Sequence, residues 1–218
     1  PPNTPRAGTY PFLEAGGVKP PPGVDGRGFL DVLRSEKSGQ VDAARTWVVT
    51  GRERHVGSAR EGNLPYPMRA LRTKDFLYIR NFAPDRWPMG APYAVSATNA
   101  PSAAELENNT RIAFPDFDAS PTKAWLVAHR ADAALARDYE RAFGKRPAEE
   151  LYDLRTDAEQ TNNIAAGASF LVEKADLARR LMKLLADTRD PRVTGDGRAF
   201  DQAPFTDPEP ESAAGRNR

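Results

Sequence analysis

The sequence predicts an α+β fold, a small four-stranded antiparallel sheet packed by a long C-terminal helix. Three observations carry that expectation. The stretch YPMRALRTKDFLYIRNF (66–82) alternates like a β-hairpin, and two further segments, around Trp47 and at 149–154, offer strand partners for it. Residues 168–187 repeat apolar positions at helical spacing.

Residues 1–25 are rich in proline and glycine, and within them only Tyr10 to Ala15 offers a short apolar patch, which fits the last turn of a helix. Phe29, Leu30, Val32 and Leu33 give one or two amphipathic turns before RSEKSGQ breaks the pattern. Thr46 to Thr50 reads as a buried strand, β-branched and aromatic. In the hairpin, Met68–Thr73 and Phe76–Phe82 both alternate, leaving Lys74 and Asp75 as a two-residue connection. An isolated hairpin is marginal in water, so the Trp47 strand becomes its neighbour and EELYDL (149–154) a candidate fourth strand.

Residues 83–121 are irregular and proline-punctuated, with a short helix expected from Ser102 to Asn108. ADAALARDYERAFG (131–144) is helical, stopped by Gly144 and Pro147. The longest helix, 168–187, carries Phe170, Leu171, Leu177, Ala178, Leu181, Leu184 and Leu185 on one stripe. At about 1.5 Å per residue it spans roughly 30 Å, enough to cross four strands. Pro191 is expected to end it, and the tail from Gly195 to be disordered.

Lys plus Arg number 31 and Asp plus Glu 30, so no net charge draws the chain to nucleic acid or an acidic membrane. Without cysteine there are no disulfides, thiolate metal sites or cysteine nucleophiles. No apolar run approaches the ~20 residues of a membrane span, and PPNTPRAGTY does not read as a signal peptide. A start on two prolines without methionine is that expected of a piece cut from something longer.

The chain has two histidines, and no serine stands in a nucleophile elbow. There is no G-x-x-x-x-G-K phosphate loop, and the carboxylates of DFD (116–118) and DTRD (187–190) suit turns and helix ends. His129, beside apolar residues in WLVAHRADA, reads as a packed or solvated side chain. No complete catalytic constellation emerges. What stands out is WVVTGRERH (47–55), where a buried strand runs into Arg52, Glu53, Arg54 and His55. With Arg69, Arg72 and Arg80 they make either an oxyanion-recognising rim or a solvated sheet edge blunted by charge.

Five segments in order, FLEAGGVKPPPGVDGRGFLDVL (12–33), TGRERH (50–55), YPMRALRTKDFLYIRNF (66–82), RPAEELYDLRTDAEQTNNIA (146–165) and TRDPR (188–192), resemble the C-terminal part of sulfatases, in the sulfamidase-like, heparan N-sulfatase branch. The resemblance implies that residues 1–36 are the end of a large α/β domain, 37–193 a C-terminal α+β subdomain and 194–218 a disordered tail. In that family a large domain carries the catalysis, and calcium and a formylglycine made in a Cys/Ser-x-Pro-x-Arg motif are expected there. This chain has no cysteine and no serine followed two residues on by proline, so no cofactor is expected in it. Ala158 stands where proline is usual, Gln160 where glutamate is common and Gly28 where serine is common.

The resemblance further implies that Arg52–His55 is a loop lent to the pocket of the large domain. His55 and Arg54, with Arg52 and Glu53 beside them, would contact the sugar or sulfate of the substrate without performing the chemical step. The implied partners are the sulfatase catalytic domain and a sulfated sugar or sulfate ester, with neither nucleic acid nor membrane, in a periplasmic or secreted setting. Two alternatives stay open: a free-standing module that binds sulfated glycans, and an inactive scaffold remnant.

Overall fold

The computed structural model describes residues 10–19 and 28–202. The expected disorder of the tail beyond residue 202 and the proline-rich run at 20–27 lie outside the described residues. In chain order the elements are α1 (Tyr10–Ala15), α2 (Leu30–Leu33), β1 (Trp47–Arg52), β2 (Met68–Thr73), β3 (Phe76–Asn81), α3 (Ala103–Asn108), α4 (Pro121–Ala128), α5 (Ala136–Phe143), β4 (Glu149–Asp153), α6 (Leu171–Asp187) and α7 (Pro191–Thr194). They fall into two compact units. One is built from Arg69–Arg80 and Glu150–Val193 with the segment up to Gly51; the other is built from Arg52–Met68 and Asn81–Glu149 with the segment from Thr194 onward.

The first unit holds the expected antiparallel sheet, in the order β1-β2-β3-β4. Thr73 closes the hairpin: its hydroxyl accepts from the Phe76 amide at 3.0 Å and donates to the Phe76 carbonyl at 3.2 Å. Bonds from Phe82 N to Pro67 O (3.0 Å) and from Leu154 N to Asp75 O (2.8 Å) set the registers of the β2–β3 and β3–β4 pairs. These registers bring Leu71, Tyr78 and Leu151 side by side on one face, and all three are buried. At the outer side of β4, Asn163 Oδ1 accepts from Leu151 N at 2.9 Å and Ile164 N donates to Leu151 O at 2.9 Å, which covers that edge.

α6 covers the face that carries this row. Phe170, just before the helix, meets Phe76 edge-on at 6.3 Å, and the Arg180 guanidinium lies 5.5 Å from the Trp47 ring centre. Past the helix, Asp190 takes a forked pair of bonds from Arg69 at 2.7 and 3.2 Å. Leu177, Leu181 and Leu185, four residues apart, are the buried positions. Fully burying three leucines contributes about 6 kcal/mol before entropy is subtracted.

The stripe is narrower than the sequence suggests. Leu171 is 52% exposed, and Phe170 belongs to a 3-10 turn that precedes the helix. Nor does Pro191 stop α6. The helix ends at Asp187, Thr188 Oγ1 donates to the Leu184 carbonyl at 2.9 Å, and Arg189 turns the chain at φ 56°. Pro191 instead opens α7, where a missing N–H costs nothing.

The second unit is centred on Phe114, stacked on Phe143 at 4.3 Å and met edge-on by Trp87 and Tyr139. Leu106 of α3 and Val127 of α4 complete that core. α3 begins with a reciprocal cap, in which Ser102 Oγ accepts from Glu105 N while Glu105 accepts from Ser102 N. α4 was not expected; Ser120 caps it and Pro121 takes its first position. α5 is shorter than the predicted 131–144, because the Asp132 carboxylate binds Ala134 N at 2.9 Å and holds that stretch in a turn.

Candidate functional site

Beyond β1 the chain runs through the sequence-predicted residues Arg52, Glu53, Arg54 and His55 into two short 3-10 turns, Gly57–Ala59 and Glu61–Asn63. Arg60 sits between the turns in extended conformation, and its side chain is 5% exposed. It donates to the carbonyls of Trp87 (2.6 Å) and Pro88 (2.8 Å), and to Asp116 Oδ2 at 2.6 Å. Burial pushes the Arg60 guanidinium below its ordinary pKa, and the hydrogen bond and charge of Asp116 work in the opposite direction.

Asp116 is the hub. Its side chain is 1% exposed, and Oδ1 accepts from Val56 N at 3.0 Å, so one carboxylate holds the loop through both backbone and guanidinium. Gly90 lets the Trp87–Gly90 turn come close. At φ 91°, an added Cβ would lie 2.6 Å from Pro115 Cδ and 3.1 Å from the Ala59 carbonyl.

The four predicted residues divide between anchoring and presentation. Arg52 donates to the Pro88 carbonyl at 2.6 Å, and its guanidinium and that of Arg60 each lie 5.7 Å from the centre of the Tyr66 ring. Glu53 pins the loop through its main chain, accepting from Tyr66 N at 2.7 Å. Arg54 is half-buried. His55 is the outward member: its side chain is 63% exposed, with Nδ1 3.6 Å from Asp116 Oδ1. With Nδ1–H turned to the carboxylate, a neutral imidazole presents Nε2 as an acceptor; protonated, it presents a second N–H donor.

Sequence reasoning missed Arg60 and Asp116. Asp116 belongs to DFD, expected to make a turn, and its partner Arg60 lies far away along the chain. It missed Lys123 as well. That ammonium is fully buried and donates to the carbonyls of Thr110 (3.1 Å), Phe114 (3.4 Å) and Phe117 (2.8 Å). Burial pushes its pKa down to about 8, against a smaller upward pull from Asp118. His129 ends α4, tilted against Trp125 with ring centres 4.6 Å apart, beside a shallow groove that includes Glu107. The sequence reading of His129 as a packed or solvated side chain fits this position. Among the described residues no group of His, Asp and Glu is arranged to hold a metal ion, and no helix is long and apolar enough to cross a membrane.

No protein-family model matches the chain, and no curated protein sequence does. Among solved structures it is similar to BT4656 in complex with its substrate D-glucosamine-2-N,6-O-disulfate, at TM-score 0.44 and 15% identity, over 84% of this chain and 24% of that one. It is likewise similar to BT1596, a 2-O GAG sulfatase, at TM-score 0.44 and 15% identity, over 89% of this chain and 28% of that one. A provisionally assigned sulfatase from Bacteroides thetaiotaomicron VPI-5482 gives TM-score 0.43 and 16% identity, over 89% and 28%. The chain thus spans about a quarter of the length of these structures.

Proposed function

We propose that this chain is the C-terminal subdomain of a sulfatase of the sulfamidase-like branch, with residues 37–193 as the subdomain proper. It would complete the substrate pocket of a formylglycine domain that holds calcium, the nucleophile and the chemical step. The observation that carries this reading is the loop TGRERH, in its place among the five ordered motifs and at the end of a sheet strand. Its exposed His55 stands on the buried Arg60–Asp116 pair. Two other motifs support it. Leu151–Asp153 of LYDL lie on the last strand of the sheet with Leu154 just past its end, and Asp157 folds the following turn by accepting from Thr161 N (3.0 Å) and Asn162 N (2.9 Å).

In this reading His55 and Arg54 contact the sulfate or a sugar hydroxyl, while Arg52 and Glu53 hold the loop. A loop fixed from beneath meets its ligand with little ordering left to do. The test uses the polypeptide together with its formylglycine domain. His55→Ala is expected to raise KM or lower kcat for a sulfated amino sugar while leaving the melting temperature unchanged. Unchanged kinetics would remove the substrate-loop role, and sulfate release by the 218-residue chain alone would overturn the whole reading.

A further inference from the structure

A cleft in the first unit, at the start of β1 and the turn of the hairpin, has a chemistry that the Arg52–His55 loop does not use. Its volume is about 450 Å³. Trp47 and Val48 give it apolar wall, Thr46 a hydroxyl, and Arg45, Arg72 and Lys74 three cations; no carboxylate lines it.

One of the cations serves the fold. Arg45 Nε donates to Asp42 Oδ2 at 3.1 Å and its Nη2 donates to the Gly28 carbonyl. Gln40 braces the same segment through the carbonyls of Asp42 (2.7 Å) and Arg45 (2.8 Å), so this wall is held in place before anything binds. Arg72 and Lys74 differ. Both are exposed, and neither has an ion-pair partner among the described residues. Two cations beside an apolar wall, without a counter-charge in the lining, select a ligand that is anionic at one end and has a C–H surface at the other.

We propose that this cleft is a subsite for an acidic saccharide. Arg72 and Lys74 hold a sulfate or carboxylate substituent, and the wall at Trp47 and Val48 takes the C–H face of the sugar ring. The volume favours a saccharide over a bare oxyanion, since small-molecule sites run from roughly 300 to 1,000 Å³. The choice of a sugar rests on the sulfatase reading; the binding of an anion does not.

The experiment titrates a heparin-derived hexasaccharide into the full chain at low salt and follows amide and indole NMR shifts. Saturable shifts are expected at Thr46, Trp47, Arg72 and Lys74, with binding lost as salt rises to about 0.5 M. The Arg72→Ala/Lys74→Ala variant should weaken binding about tenfold, a few-fold for each exposed cation. The charge-retaining Arg72→Lys/Lys74→Arg variant should bind within a few-fold of the parent and so report on folding. The proposal is overturned if the alanine pair binds the hexasaccharide as tightly as the parent, or if the shifts centre on Arg54 and His55 instead. It is also overturned if inorganic sulfate competes at equal concentration, which would make the cleft a simple anion site. The His55→Ala kinetics decide the sulfatase reading separately: cleft binding with unchanged kinetics would keep this subsite and remove the loop's role.

Discussion

Replacing Asp116 with alanine removes three things at once: the acceptor for Val56 N, the counter-charge of Arg60 and the neighbour of His55. Breaking a buried ion pair from one side costs about 3–5 kcal/mol, because the remaining charge is left without its partner. Here the lower end applies, since Arg60 keeps its bonds to the Trp87 and Pro88 carbonyls. Orphaning the Val56 amide adds about 1 kcal/mol where water can reach the opened loop. The expected destabilisation is therefore about 4 kcal/mol. For a chain of this size that lowers the melting temperature by about 8–16 °C. Asp116→Asn should recover only about 1 kcal/mol of this, because its amide oxygen still accepts from Val56 N while its NH2 group faces the Arg60 guanidinium, donor to donor, with the counter-charge gone. Urea denaturation gives the size of the effect, and hydrogen exchange at Val56 gives its location. His55→Ala, on a largely exposed side chain, should stay within about 0.5 kcal/mol of the parent. The reasoning fails if Asp116→Ala unfolds within 1 kcal/mol of the parent, or if Val56 exchange does not accelerate.

Two further predictions come from the same unit. Lys123 has its pKa pushed from 10.5 to about 8, so between those values the unfolded chain holds a proton that the folded chain has released. Its contribution to stability therefore rises with pH across that window, by up to about 3 kcal/mol, and is flat below it. The difference in melting temperature between the parent and Lys123→Met, taken at pH 7.5 and again at pH 10, should shift in favour of the parent; a constant difference would rule out the titration. Gly90→Ala should destabilise by about 2–3 kcal/mol, since φ 91° and the approach of Pro115 Cδ to 2.6 Å leave no room for a Cβ. A denaturation midpoint like that of the parent would mean that the turn opens freely.

The sheet was legible in the sequence because its signals are local. A period of two on either side of Lys74 and Asp75 gives the hairpin, and Ser102 with Glu105 three residues later gives the start of α3. α4 was missed because Lys123, whose ammonium reaches into the core, interrupts the apolar pattern; Ser120 followed by Pro121 was the signal that would have found it. Pro191 was read as a stop because proline breaks helix interiors, whereas the left-handed Arg189 had already turned the chain. The core of the site was illegible for a different reason. Arg60 and Asp116 are 56 residues apart, each in irregular sequence, and no local period connects them.

That difference changes how the arginines are to be counted. From the sequence, Arg52, Arg54, Arg69, Arg72 and Arg80 could all form one charged rim. In the fold, Arg69 is spent on Asp190 and Arg52 on the Pro88 carbonyl. Of the five, Arg72 is the exposed one, and it lines the cleft at the hairpin turn. The loop at Arg54 and His55 offers less charge but a firmer mount, because the Arg60–Asp116 pair beneath it is buried. Charge attracts at long range but screens within about 10 Å at moderate salt, whereas a fixed donor or acceptor discriminates on contact. If both proposals hold, raising salt should weaken hexasaccharide binding at the cleft well before it alters the KM effect of the loop.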